Sequence, residues 1–150
     1  MLIKTFGSAV YGVEATTITI EVNWMTTAKD PTIVGLPDSA VKESLQRVES
    51  TIKTNGFVMP RTKVVVNLAP ANIKKTGSAF DLPIAIGFLS ATEQLRNRES
   101  LDKYVIMGEL SLNGEVRSIK GALPIALQAR KEGFKGLIIP KANAKEAVKK

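Results

Sequence analysis

The sequence predicts an α/β sandwich: a mixed sheet with helices packed on it. Three observations carry that prediction. Residues 13–24 alternate, with Ile18, Ile20, Val22 and Trp24 on one face and Thr17, Thr19, Glu21 and Asn23 on the other, which is a strand with one buried face. Val41, Leu45, Val48 and Ile52 recur at helical spacing, so one stripe of a helix faces a core. Residues 62–68 are a β-branched run, apolar on both faces, which predicts a central strand. Strands and helices then follow one another with no linker between them, as one layered domain requires.

In chain order, residues 2–11 form the hairpin partner of the alternating strand, joined through Gly12. Ile33-Val34 is a short strand closed by Gly35-Leu36-Pro37. A helix starts after Asp38 or Ser39, either of which can accept hydrogen bonds from the first turn, and Asn55-Gly56 stops it. The loop 69–78 leads to a second helix that ends near Leu95. A cap at Ser78 would put Pro83 at the fifth helical position, where its missing N–H costs a bond. A cap at Asp81 puts Pro83 in the first turn, where it is tolerated, so Asp81 is taken as the cap. Residues 104–118 read as a hairpin turning at Asn113-Gly114, a type I′ signal. A third helix runs from about Gly121 to Glu132, a strand from Phe134 to Ile139, and the last ten residues open a fourth helix that the chain end cuts short.

Composition narrows the chemistry. The 150 residues are 44% hydrophobic and 23% charged, as in an ordinary globular chain. At this length a domain buries roughly 68–70% of its unfolded surface and needs no disulfide or metal to hold it. There is no cysteine and no histidine, which removes thiol catalysis, disulfides, thiolate or imidazole metal sites and Ser-His-Asp triads. Carboxylate, lysine, hydroxyl and backbone remain. The start has no long apolar core, and nowhere do about 18 uncharged apolar residues run together, so a cytoplasmic protein without a membrane partner is expected.

The net charge of +7 is uneven: residues 130–150 hold seven basic and two acidic residues. A basic tail can hold phosphates, and a solvated helix with lysines near its C-terminal end explains it equally well. Arg61 and Lys63 beside the β-branched strand, with Lys74 and Lys75 in the following loop, are the candidate contacts to nucleic acid; a basic loop is otherwise simply solvated. No Gly-x-x-x-x-Gly-Lys-[Ser/Thr] occurs, and Lys75-Thr76-Gly77-Ser78 has those residue types in the wrong order, so no nucleotide site is expected. Scattered carboxylates without ligand spacing predict no metal site.

Three stretches together carry a resemblance. They are Thr32-Ile33-Val34-Gly35-Leu36-Pro37-Asp38-Ser39-Ala40-Val41-Lys42-Glu43-Ser44, then Val66 to Lys75 running into Phe80-Asp81-Leu82-Pro83-Ile84-Ala85, then Gly108-Glu109-Leu110-Ser111-Leu112-Asn113-Gly114. The chain resembles, over nearly its whole length, the N-terminal domain of the ComM (YifB) magnesium-chelatase-like AAA+ proteins. That resemblance implies the fold of the Lon proteolytic domain and of the second domain of ribosomal protein S five. It implies a parent protein with an AAA+ module that takes ATP and Mg2+, works as a hexamer and processes DNA during natural transformation. This chain would then meet its own AAA+ module, neighbouring subunits and DNA, with no cofactor of its own.

Lon-type peptidases use a serine activated by a lysine, the serine in Lys-Asp-Gly-Pro-Ser-Ala-Gly and the lysine in Gly-Gly-Leu-Lys. Set against those motifs, the serine position falls on Ala79 and the lysine position on Leu123. Both chemical groups are missing, which implies a degenerate site. Ser78 and Lys120 remain nearby as a shifted pair, but one residue of shift near a helix start turns a side chain by roughly 100°. Their plainer reading is a loop hydroxyl and a solvated charge. Asp81 is either a carboxylate of the former active-site region or the helix cap, and Glu109 either anchors the 69–78 loop or faces water. The resemblance therefore implies a non-catalytic accessory domain. A Ser78/Lys120 peptidase and a small ribosomal-type RNA-binding domain are the alternatives.

Overall fold

The structure, a computed structural model, describes residues 2–24, 31–59, 64–96 and 98–148. Arg61 and Lys63 lie outside the described residues. Strands β1 (Leu2–Tyr11) and β2 (Glu14–Trp24) form the antiparallel hairpin, with Gly7 opposite Ile18 and Thr5 opposite Ile20. Strand β3 (Thr32–Val34) runs parallel to β4 (Val64–Ala69), and β4 runs antiparallel to β2. Strands β5 (Tyr104–Ile106) and β8 (Gly136–Ile138) extend the other side in parallel, giving the order β3-β4-β2-β1-β5-β8. A separate two-stranded ribbon pairs β6 (Glu109–Leu110) with β7 (Val116–Arg117). The sheet is mixed, as the sequence predicts.

The alternation in β2 does what its pattern requires: Ile18, Ile20 and Val22 are fully buried. Their neighbours on β4, Val66 and Leu68, are buried beside them, each side chain contributing roughly 1.5–3 kcal/mol of burial. This face is covered by helix α3 (Asp81–Ala91). A side chain at Gly87 would sit 2.6 Å from Val22 Cγ2, so the helix can approach the strand this closely only with glycine there. Helix α2 (Ser44–Thr54) packs on α3, following the short α1 (Ser39–Lys42), whose first turn Asp38 caps by accepting the Val41 N–H at 2.7 Å. Helix α4 (Ala122–Lys131) packs on β2 and β1 near Val10, and α5 (Ala144–Ala147) packs on α4. Among the described residues no helix is long and apolar enough to cross a membrane.

Four details correct the sequence reading. Residues 104–118 are not one hairpin: β5 joins the main sheet and only β6 and β7 form the ribbon. Its turn is not type I′, because Asn113 keeps a negative φ while Gly114 takes +98°. Gly114 N–H bonds to Ser111 O and Ser111 N–H to Glu115 O, the three-residue loop with a glycine bulge. Helix α3 stops at Ala91 rather than near Leu95, since Glu93 adopts φ +59° and Gln94 N–H turns back to Leu89 O. Asp81 is not the cap: Phe80 holds that position and Asp81 is the first helical residue.

Candidate functional site

Two carboxylates organise the region around the start of α3, Asp81 in its first turn and Glu109 on β6. Asp81 is fully buried and collects four donors. Ser44 Oγ donates to its Oδ1 at 2.5 Å, Arg47 Nε to Oδ2 at 2.6 Å, Arg47 Nη2 to Oδ1 at 3.0 Å, and Leu110 N–H to Oδ2 at 3.0 Å. The Arg47 guanidinium is raised above its ordinary value, chiefly by its hydrogen bonds to Asp81. One side chain therefore ties α2, α3 and β6 together. Pro83 loses nothing by its missing N–H in the first turn, and its carbonyl accepts the buried Thr5 hydroxyl at 3.1 Å.

Leu110 N–H, fixed by Asp81, places the preceding residue. Glu109 turns the other way, into a cleft of about 480 Å³ lined by Ser78, Ala79, Glu109, Ser118 and Lys120, with residues 8–10 of β1 beside them. Ser78 Oγ donates to Glu109 Oε1 at 2.5 Å, and Arg117 Nη1 lies 3.6 Å from Glu109 Oε2 across the ribbon. Lys120 is exposed on the opposite wall. Asn143 fixes that wall by accepting the Ile119 N–H at 2.9 Å and donating to Ile119 O at 2.8 Å. The structure thus brings Ser78, Ala79, Glu109 and Lys120 into one cleft. Leu123, half-buried in the first turn of α4, is not among its lining residues, and its N–H points to Glu146 Oε2 at 3.4 Å.

Lys75 requires the largest correction. Read from sequence as a contact to phosphates, it is completely buried. Its Nζ donates to Gly35 O at 2.7 Å and to Pro70 O, while its backbone pairs with Leu36 O and the Asp38 N–H. Gly35 makes room for this at φ +105°, where a Cβ would fall 2.2 Å from Leu68 O. Burial pushes the Lys75 ammonium below the ordinary lysine value. This lysine pins the 70–78 loop to the β3–α1 loop and cannot reach a ligand. Lys74, by contrast, is exposed, and its carbonyl accepts the Tyr11 hydroxyl.

The lysine of Lys75-Thr76-Gly77-Ser78 is enclosed by the Gly35 and Pro70 carbonyls, so its own ammonium is not free to meet a phosphate. Among the described residues no group of three carboxylates is placed to hold a metal ion.

Ser44, Arg47 and Arg117 are among the residues of the site that escaped sequence reasoning. Ser44 lies between Val41 and Val48 on the buried stripe, a polar residue on an apolar face, which was a usable signal. Arg47 and Arg117 gave none until their partners were known.

With this geometry in place, comparison with known proteins is decisive. The family model for the ChlI subunit of Mg-chelatase matches residues 20–143. The chain belongs to the ChlI magnesium-chelatase family. Among relatives of this ChlI-family chain, YifB of Escherichia coli, an uncharacterized protein, is 44% identical over 138 residues, 92% of this chain and 27% of that protein. The competence protein ComM of Haemophilus influenzae is 42% identical over 142 residues, 95% of this chain and 28% of its own. The archaeal Lon protease of Thermococcus kodakarensis is 31% identical over 115 residues, 76% of this chain and 18% of its own. The chain spans about a quarter of the length of the YifB and ComM relatives. The similarity to Lon protease agrees with the α/β fold and mixed sheet described above.

Proposed function

We propose that this chain is a non-catalytic, Lon-like accessory domain of a cytoplasmic, magnesium-chelatase-related AAA+ ATPase of the ComM type. In this reading ATP and Mg2+ belong to an ATPase module, and the domain couples that motor to DNA or to a neighbouring subunit of a hexamer. Within a ring, modest affinities multiply through avidity, so a small interface suffices. The similarity to a competence protein supports the link to DNA handling.

The observation that carries the non-catalytic reading is where the Ser78 proton goes. A serine of the Lon type needs its hydroxyl against a neutral lysine amine. Ala79 and Leu123 stand at the positions where the Lon motifs carry that pair, and the Ser78 hydroxyl beside them donates to a carboxylate held by Arg117. The second reading, a Ser78/Lys120 peptidase, is favoured by one observation: both residues line the same cleft. Incubation with unfolded casein separates the two. Intact casein is expected; cleavage that disappears in Ser78→Ala would establish the peptidase.

A further inference from the structure

Strand β1 is paired along its whole length with β2 but hardly at all on its other side. β5 is three residues long and meets β1 at Phe6 opposite Val105. The chain then leaves the sheet, because Gly108 turns to the start of α3: its N–H donates to Ala79 O at 2.9 Å and its carbonyl accepts the Leu82 N–H at 3.0 Å. Residues 8–11 are left with a partner strand on one side only.

One contact fixes which main-chain groups face that open side. Ser8 N–H points at Met107 Sδ, 3.4 Å away in the residue that follows β5. Main-chain groups alternate along a strand, so the N–H and carbonyl of Val10 face the same way, into the cleft. The open edge is recessed between Thr76–Phe80 and Ser118–Lys120 and is about 13 Å long at the usual rise per residue. A flat open edge invites sheet-to-sheet association; a recessed one admits a single extended segment. The charges in the cleft select that segment. Glu109 is engaged by Ser78 and Arg117, whereas Lys120 is exposed and has no ion pair among the described residues. The charge left over is positive.

We propose that this cleft captures an extended acidic peptide by adding it as a strand to residues 8–11 of β1, with Lys120 meeting a carboxylate of the peptide. That the segment is held and not cut rests on the non-catalytic reading above.

The probe is a short fluorescein-labelled peptide of alternating valine and glutamate, with a valine–lysine peptide as control. The glutamate peptide is expected to bind by at least tenfold over the control and to slow amide exchange of Val10 by about tenfold or more at saturation. Val10→Pro removes an N–H that faces the cleft rather than β2, the side of an edge strand on which proline is tolerated, and should weaken binding roughly tenfold. Lys120→Glu should reverse the charge preference. If Val10→Pro does not fold, the Lys120→Glu reversal and the Val10 exchange rate decide. Unchanged Val10 exchange at saturation, equal binding by folded Val10→Pro, or no binding of either peptide would overturn the proposal. Bound peptide that is cleaved would remove the non-catalytic reading and leave the docking site standing; absence of both binding and cleavage would do the reverse.

Discussion

Two serine–carboxylate pairs flank the first turn of α3 and make the same hydrogen bond at the same 2.5 Å, Ser44 to Asp81 and Ser78 to Glu109. Their surroundings differ. Asp81 is shut from water, and its other three donors come from Arg47 and the Leu110 N–H. The Glu109 side chain is about a third exposed, and its arginine lies 3.6 Å off and largely in solvent. Within the interior the low dielectric strengthens each bond and makes each lost one expensive. At the cleft, water competes for both partners. The first pair therefore fixes the frame, and the second leaves a polar surface on which something can dock.

The sharpest way to break this comparison is Asp81→Ala. It strands the Ser44 hydroxyl, the Leu110 N–H and most of the Arg47 guanidinium, and should cost about 3–5 kcal/mol in urea unfolding, as does removing one partner of a buried pair. Replacing both charges, Asp81→Leu with Arg47→Met, should recover much of that loss, because no buried charge is then left alone. A single-site cost below about 1 kcal/mol would put Asp81 in the same class as Glu109 and dissolve the contrast.

Lys75→Met comes next. It leaves the Gly35 and Pro70 carbonyls buried without a donor, at about 2–4 kcal/mol. The sign of its pH dependence follows from the lowered folded-state value. Between that value and the ordinary 10.5 of the unfolded chain, the unfolded state binds more protons, so the wild-type contribution rises with pH. The deficit of Lys75→Met, measured by denaturation in the same buffers, should therefore widen as pH climbs toward 10.5. A deficit that narrows would mean that the ammonium is stabilised, not penalised, by its enclosure.

What the sequence made legible is local. The alternation of β2, the stop at Asn55-Gly56 and the helix predicted from about Gly121 to Glu132 each follow from the backbone preferences of a few adjacent residues, and each element is found where those residues put it. The end of α3 was hidden because its left-handed residue is Glu93, not glycine. The ribbon was hidden by one residue of register. A two-residue turn at Asn113-Gly114 would set Glu109 across from Ser118; the observed three-residue loop sets it across from Arg117. That slip separates a carboxylate with an ion-pair partner from one without. Burial of lysine was equally invisible: Lys74 and Lys75 are adjacent in a basic loop, yet only the fold decides that one is solvated and the other enclosed. The cleft, assembled from β1, the 76–80 turn and the 118–120 wall, is a product of topology that no single stretch encodes.

The smallest expected effects lie at the cleft. Ser78→Ala removes one hydrogen bond from partners that water can serve, so it should cost no more than about 1 kcal/mol, against the several expected at Asp81. Lys74→Gln, on an exposed side chain, should change stability by less than about 0.5 kcal/mol. It nonetheless bears on DNA: if Lys74 meets a phosphate, its loss should weaken binding to every DNA sequence alike and reduce the salt slope by about 1. An unchanged slope would take the 70–78 loop out of any nucleic-acid interface, because Lys75 beside it is already committed to the Gly35 and Pro70 carbonyls. The domain's contribution to such a machine would then fall to the cleft, where the chain keeps an open strand edge and, in Lys120, a positive charge without an ion pair among the described residues.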